Sequence, residues 1–245
     1  MFSAIKTKLN QGFRSIKDMA LPPDNFRGLP KISDGKCANA CYRCMDVCPV
    51  SAITYNPITI DLSKCILCPE CSRVCPEGII RFTNQTDLAS TDLKDLVISS
   101  GHREPVIVPD KHIVKLFNKS FKLRSVSAGG CNGCELELNA LSSVNFDIGR
   151  FGIEFVTSPL HADALVVTGP ITRNMTHALE ETYRTIPEPK VLILVGTCAL
   201  SGGIFAGSQA IDRTFLNKIN PNLYIAGCPP HPLVVINALM RFLGR

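Results

Sequence analysis

Residues 121–136 read FKLRSVSAGGCNGCEL: a strand-like run from Phe121 to Val126, a small-residue loop holding Cys131 and Cys134, and the start of a helical stretch from Cys134 to Val144. A strand that empties through glycines into a helix opens a β–α unit. The pattern repeats downstream. Ile153 to Thr157, Ala164 to Thr168, Val191 to Val195 and Leu223 to Ile225 predict further strands, and Met175 to Thr185 and Leu233 to Phe242 predict helices. The alternation predicts an α/β fold, an open and mostly parallel sheet with helices on both faces. Such sheets bind ligands beyond the carboxyl ends of their strands. Cys131, Cys198 and Cys228 each follow a predicted strand, so all three are expected at one edge.

Upstream the sequence changes character. The chain has 245 residues, 45% of them hydrophobic, enough for a packed core, and it carries 12 cysteines. Eight of these fall in two runs, CANACYRCMDVCP at 37–49 and CILCPECSRVCP at 65–76. The second run is C-x₂-C-x₂-C-x₃-C-P. Three close thiolates can occupy three corners of an iron–sulfur cubane, and the cysteine before proline reaches the neighbouring cluster. The expected partition is Cys37, Cys41, Cys44 and Cys75 on one [4Fe–4S] cluster, and Cys65, Cys68, Cys71 and Cys48 on the other. Zinc needs only two pairs and leaves the triples and both Cys-Pro steps unexplained. The first run departs from the pattern, since three residues separate Cys37 from Cys41.

Cys131-x-x-Cys134 at a helix start is also the pattern of a dithiol redox site, where the helix N-terminus lowers a thiol pKa. Cys198 in GTCALSGG and Cys228 in AGCPPHP have no place in that reading. Two, one and one make four, a third [4Fe–4S] site, and three sites of four use every cysteine. Gly129, Gly130, Gly133 and Gly227 allow backbone to approach this cofactor, as do Gly202 and Gly203. No export signal is recognisable, which disfavours disulfides. The net charge of +5 comes from scattered basic residues, so nucleic acid is not an expected partner.

Residues 35–82 resemble two-cluster bacterial ferredoxins. The motifs GGCNGCELE, RFGIEFV, SPLHADALVVTGPITRNM, GTCALSGGIF and AGCPPHP, in this order over residues 112–243, resemble the small subunit of membrane-bound, complex I-related group 4 [NiFe] hydrogenases of the formate hydrogenlyase type. They are also similar to the complex I subunit that carries the last cluster before quinone. Cys131 and Cys134 are separated as in the hydrogenases, whereas the complex I subunits have adjacent cysteines. The resemblance implies a flavodoxin-like fold and an electron-transfer role through three [4Fe–4S] clusters. It also implies as partners a large subunit holding nickel and iron (complex I 49 kDa-like), membrane-embedded subunits, and a ferredoxin or other donor protein. No residue of this chain is then required as a general acid or nucleophile. A cytoplasmic position on the membrane face follows from the same resemblance. The fused ferredoxin region is a departure, because the related complexes usually carry it as a separate chain.

Four segments are expected: an amphipathic helix and linker (1–34), the cysteine-rich domain (35–82), a connector with short helices (83–111) and the α/β domain (112–245). Phe2, Ile5, Leu9, Phe13 and Ile16 form the helical stripe, with lysines and Arg14 on the other faces; it lies on a membrane surface or partner, or covers the chain's own core. Glu135 either complements the helix dipole or takes part in proton movement. Ile171 to Asn174, with Arg173, is the expected contact with the large subunit. Of the histidines, only His231 lies near a cysteine loop. Two other functions stay in view: a nickel-free, complex I-like quinone or ion-pumping reductase subunit, and a stand-alone polyferredoxin carrier.

Overall fold

A computed structural model of the chain describes Lys6 and residues 22–35, 37, 41–101 and 104–245. The helix expected over Phe2 to Ile16 and the residues between Cys37 and Cys41 lie outside these.

The N-terminal region contains β1 (Pro30–Ile32), β2 (Ile53–Thr54), β3 (Thr59–Asp61) and β4 (Ile80–Phe82), with short helices at Arg43–Asp46 and Glu70–Val74. β2 and β3 form a hairpin between the two cysteine runs. Ile53 pairs with Ile60, both buried, and the hydroxyls of Thr54 and Thr59 lie 2.6 Å apart on the other face. This alternation, inward isoleucine and outward threonine, is what fixes the register. β1 and β4 pair antiparallel, and the two short helices pack on each other.

The connector is more structured than its polar composition implied. It contributes β5 (Ala89–Ser90) and β6 (Val97–Ser99), separated by a 3₁₀ turn at Leu93–Leu96. β6 adds a third strand to the hairpin through β3. The remaining strands are β7 (Phe121–Ser127), β8 (Ile153–Phe155), β9 (Ala164–Thr168), β10 (Val191–Val195) and β11 (Leu223–Ile225), and β5 pairs antiparallel with β11. Asn237 donates to Thr86 Oγ1 at 2.8 Å, and Arg241 forms an ion pair with Asp87. The connector thus joins both sheets, and one buried core includes Ile60, Leu62 and Leu67 from the first region with Phe121, Leu123 and Val195 from the second.

The large sheet runs β5-β11-β10-β9-β7-β8 and is parallel except for β5. Counted from β7, its parallel strands follow the order 2-1-3-4-5, that of flavodoxin-like sheets. β9 and β10 are buried at every position, which requires cover on both faces. The helix Pro232–Phe242 lies almost wholly in the core, whereas Arg173–Thr185 buries fully only Leu179 and turns its charged side outward. The order reverses between β7 and β9, so a crevice opens at their carboxyl ends, where Cys131 begins its loop.

Candidate metal centres

The thiols of the N-terminal region stand in two groups, each closed by a cysteine from the other run. Cys37 and Cys44 both feel the charge of Cys75, and Cys37 also that of Cys41. Cys65 and Cys71 feel Cys48 and Cys68. Burial pushes the Cys65 thiol up to about 12 against the lowering effect of the Leu67 N–H, and the neighbouring thiols add to the rise. Burial likewise takes Cys71 to about 11, with Cys68 next in effect. Cys44 and Cys71, both buried, also interact, which puts the two groups side by side.

Backbone amides already point at these sulfurs. Ala52 N–H donates to Cys48 Sγ at 3.3 Å and Ile79 N–H to Cys75 Sγ at 3.4 Å, four residues on in each case. The repeat Cys48-Pro49 and Cys75-Pro76 is therefore a repeat of structure. Leu67 N–H donates to Cys65 Sγ at 3.4 Å. Such donors stabilise negative charge on sulfur.

The third group is assembled from distant sequence. Cys131 and Cys134 follow β7, Cys198 follows β10 and Cys228 follows β11. Together with Gly130, Gly133, Gly169 and Gly227 they line one small pocket. Burial, then Glu135, then Cys198, Cys228 and Cys131 push Cys134 up to about 12. Cys198 rises to about 11 through burial and the thiols of Cys228 and Cys131, against the lowering effect of Arg213. A nucleophilic thiol needs the opposite shift from the one burial gives Cys134.

Close packing shows what this pocket tolerates. A Cβ on Gly196, at φ +90°, would stand 2.5 Å from Cys134 Sγ, and one on Gly203 would stand 3.0 Å from Cys198 Sγ. Gly129 instead packs against Thr172, outside the pocket. Ile171 is 0% exposed at φ +64°, so of the expected contact segment only Arg173 and Asn174 face outward. Glu135 Oε1 accepts from Ser127 and Thr168 hydroxyls, each at 2.6 Å. Burial opposes its charge, but those two bonds hold the carboxyl below its usual range. His231 Nδ1 accepts from Leu233 N–H at 3.2 Å and its ring packs on Phe26 and Phe146, a cap and core role.

Three residues that sequence reasoning missed complete the site. Gly196 is one. Arg213 donates to the carbonyls of Cys198 (3.2 Å), Ala199 (2.7 Å), Leu200 (2.8 Å) and Pro170 (3.4 Å), binding the carbonyl end of the short helix Thr197–Ser201. Thr197, 1% exposed, donates from its hydroxyl to Cys65 and Gly227 carbonyls. Only Gly196 had a signal, its place at the end of a buried strand before a cysteine.

The donor set fits iron–sulfur groups. Every candidate ligand is a thiol, all are free, and among the described residues no three His, Cys, Asp or Glu are gathered tightly enough for a single ion. Thiolates at the corners of a cubane stand farther apart than ligands of one ion, with space for the inorganic core between them.

The protein-family model described as NADH ubiquinone oxidoreductase, 20 Kd subunit, matches residues 131–242. A protein of Methanocaldococcus jannaschii, Uncharacterized protein MJ0516, is 40% identical over 129 residues, 52% of this chain and 86% of that protein. The chain belongs to the 20 Kd subunit family. The Probable membrane-bound hydrogenase subunit mbhJ of Pyrococcus furiosus is 33% identical over 133 residues, covering 54% of this chain and 80% of that one. Formate hydrogenlyase subunit 7 of Escherichia coli is 39% identical over 132 residues, 54% of this chain, and the chain spans about half (52%) of that relative. The 20 Kd subunit family is an iron–sulfur family of oxidoreductase complexes, and its match holds the third cysteine group and none of the first eight. Among the described residues no helix is long and apolar enough to cross a membrane.

Proposed function

We propose that the chain is the electron-transfer subunit of a membrane-bound [NiFe] hydrogenase complex, fused to a two-cluster ferredoxin domain. The observation that carries this reading is the convergence of Cys131, Cys134, Cys198 and Cys228 at the carboxyl edge of the sheet, beside two further groups of four thiols in the same chain. Iron–sulfur clusters supply one-electron transfer, here between a donor protein and the nickel–iron centre of a large subunit.

The chain's own residues hold, tune and shield. The first cluster is held by Cys37, Cys41, Cys44 and Cys75, the second by Cys65, Cys68, Cys71 and Cys48, the third by the C-terminal four. N–H groups of Ala52, Leu67 and Ile79 offset charge on sulfur in the first two. In the third, Gly130, Gly133 and Gly227 line the pocket and Arg213 places a cation behind Cys198. Cys131 and Cys228 are exposed, and Leu136, Ile204 and Phe205, close in sequence to Cys134 and Cys198, expose 61%, 64% and 38% of their surface. An open thiol edge with apolar neighbours suits a partner subunit that closes over it. The names of the relatives from P. furiosus and E. coli support the hydrogenase assignment and a place on a membrane complex.

A second reading, a nickel-free quinone reductase subunit, is favoured by the family's own description. Anaerobic purification of the native complex through this chain, followed by metal analysis, separates them. The expected result is about twelve irons from this chain, those of its partners in addition, and stoichiometric nickel. The same iron without nickel moves the assignment to the quinone-type reductase, and zinc in place of iron removes both.

A further inference from the structure

The region holding the first eight cysteines and the region holding the last four share a core, and one buried hydroxyl hydrogen-bonds between them. Thr197 Oγ1 lies 2.9 Å from the Cys65 carbonyl oxygen and 3.1 Å from the Gly227 carbonyl oxygen, and Thr197 N–H donates to that same Gly227 oxygen at 2.9 Å. Its neighbour in the chain is Cys198, and Gly227 precedes Cys228. One residue therefore ties three cysteine loops, and 132 positions separate it from Cys65. A hydroxyl has one proton to give, so the two carbonyls share it. The Cys65 carbonyl takes its hydrogen bond from this hydroxyl, and a buried carbonyl without a partner is costly, which makes the bond a constraint on where the two loops stand.

We propose that Thr197 is a positioning residue that fixes the Cys65 site against the Cys198 site, making the Cys65 group the inner of the two N-terminal sites and leaving the Cys37 group outermost. This rests on the three-cluster reading above. The packing is consistent along its length: the short helices that carry Cys44 and Cys71 pack on each other and join the two N-terminal groups, and among the described residues Thr197 bonds the Cys65 group to the sheet edge. The hydroxyl determines distance and orientation between two cofactor sites held on different parts of the fold, and it is not itself a ligand.

The test uses the purified complex and two substitutions, Thr197→Val, which keeps the volume and removes the proton, and Thr197→Ser, which keeps the hydroxyl. Amide hydrogen exchange of residues 65–68 and 227–228 is expected to quicken about five- to thirtyfold in the valine variant, the equivalent of losing one buried bond, and to stay near wild type in the serine variant. With iron content unchanged, the magnetic broadening between the reduced C-terminal cluster and its neighbour is expected to fall in Thr197→Val and to return in Thr197→Ser. Cys68→Ala is expected to abolish that broadening and Cys41→Ala to leave it. Unchanged exchange in Thr197→Val, or broadening lost with Cys41→Ala and kept with Cys68→Ala, overturns the proposal. A protein without iron overturns the cluster reading instead, and the exchange result still decides the role of Thr197.

Discussion

The two halves of this chain gather thiols in opposite ways. In residues 37–76 the ligand candidates are close in sequence, and three of the sulfurs accept N–H bonds from residues two or four positions on. At the sheet edge the four cysteines span residues 131–228, three loops bring them together, and the space is kept by absent side chains at Gly196 and Gly203. A locally wound site takes its geometry from short loops and from the metal that closes them. A site on the rim of a buried parallel sheet inherits its geometry from the sheet.

Iron removal provides the largest expected break in that comparison. Amide exchange over residues 41–82 is expected to accelerate at least about a hundredfold when the metal is stripped anaerobically, while the strands β7, β9 and β10 stay within a few-fold of their starting rates. Equal loss in both regions, followed by exchange mass spectrometry, would show that the sheet too depends on its cluster.

Gly196→Ala tests the rim itself. The added Cβ meets Cys134 Sγ at 2.5 Å and the backbone is at φ +90°, so the expected cost is about 2–5 kcal/mol, a fall in melting temperature of roughly 6–15 °C, with loss of iron from the third site. Gly207→Ala, at φ +83° with nothing within 4 Å, is the matched control and is expected to cost about 1 kcal/mol. Similar losses for both would mean that conformation, and not the approach to sulfur, selects glycine at 196.

Arg213 sharpens the electrostatic side. Arg213→Met removes a cation behind Cys198 and leaves four carbonyls short of a donor, and a lower midpoint potential for the third cluster is expected, with a stability loss of about 2–3 kcal/mol. Arg213→Lys is expected to restore most of the potential and less of the stability, because one ammonium cannot match the guanidinium fork. Redox titration followed by EPR reads this, with the two proposed N-terminal clusters as internal controls. A potential unmoved by Arg213→Met would reduce the residue to a helix cap.

The smallest effect concerns the last helix. Burial holds the His231 imidazole below its usual range, and the neutral ring accepts the Leu233 N–H. The unfolded histidine takes up its proton first as pH falls, so the stability this group contributes is present above about pH 6.5 and is lost as pH drops through its folded value. Thermal melts between pH 7 and 5 are expected to lose about 1–3 °C from this source. His231→Asn, which keeps a capping acceptor without the titration, is expected to flatten that part of the curve. An unchanged slope would assign it to other groups.

Much of this arrangement was legible in the chain. The strands at Ala164–Thr168, Val191–Val195 and Leu223–Ile225 have the expected bounds, because short apolar runs buried on both faces admit little else. The helix after Cys134 ends at Ala140 instead of Val144, and the strand from Ile153 stops at Phe155. The connector strands β5 and β6 were not legible. Two or three residues of mixed character become strands only because β11 and β3 offer open edges.

The sequence by itself determined the cysteine inventory, the repeated Cys-Pro runs and the β–α alternation, since ligand spacing and hydrophobic period are local properties. Tertiary structure alone decided that Gly196 must lack a side chain, that Ile171 turns inward, that Arg213 lies behind Cys198 and that Thr197 reaches Cys65. Each of these depends on which loops a folded sheet sets side by side, and contacts between residues far apart in the chain leave no periodic trace in it.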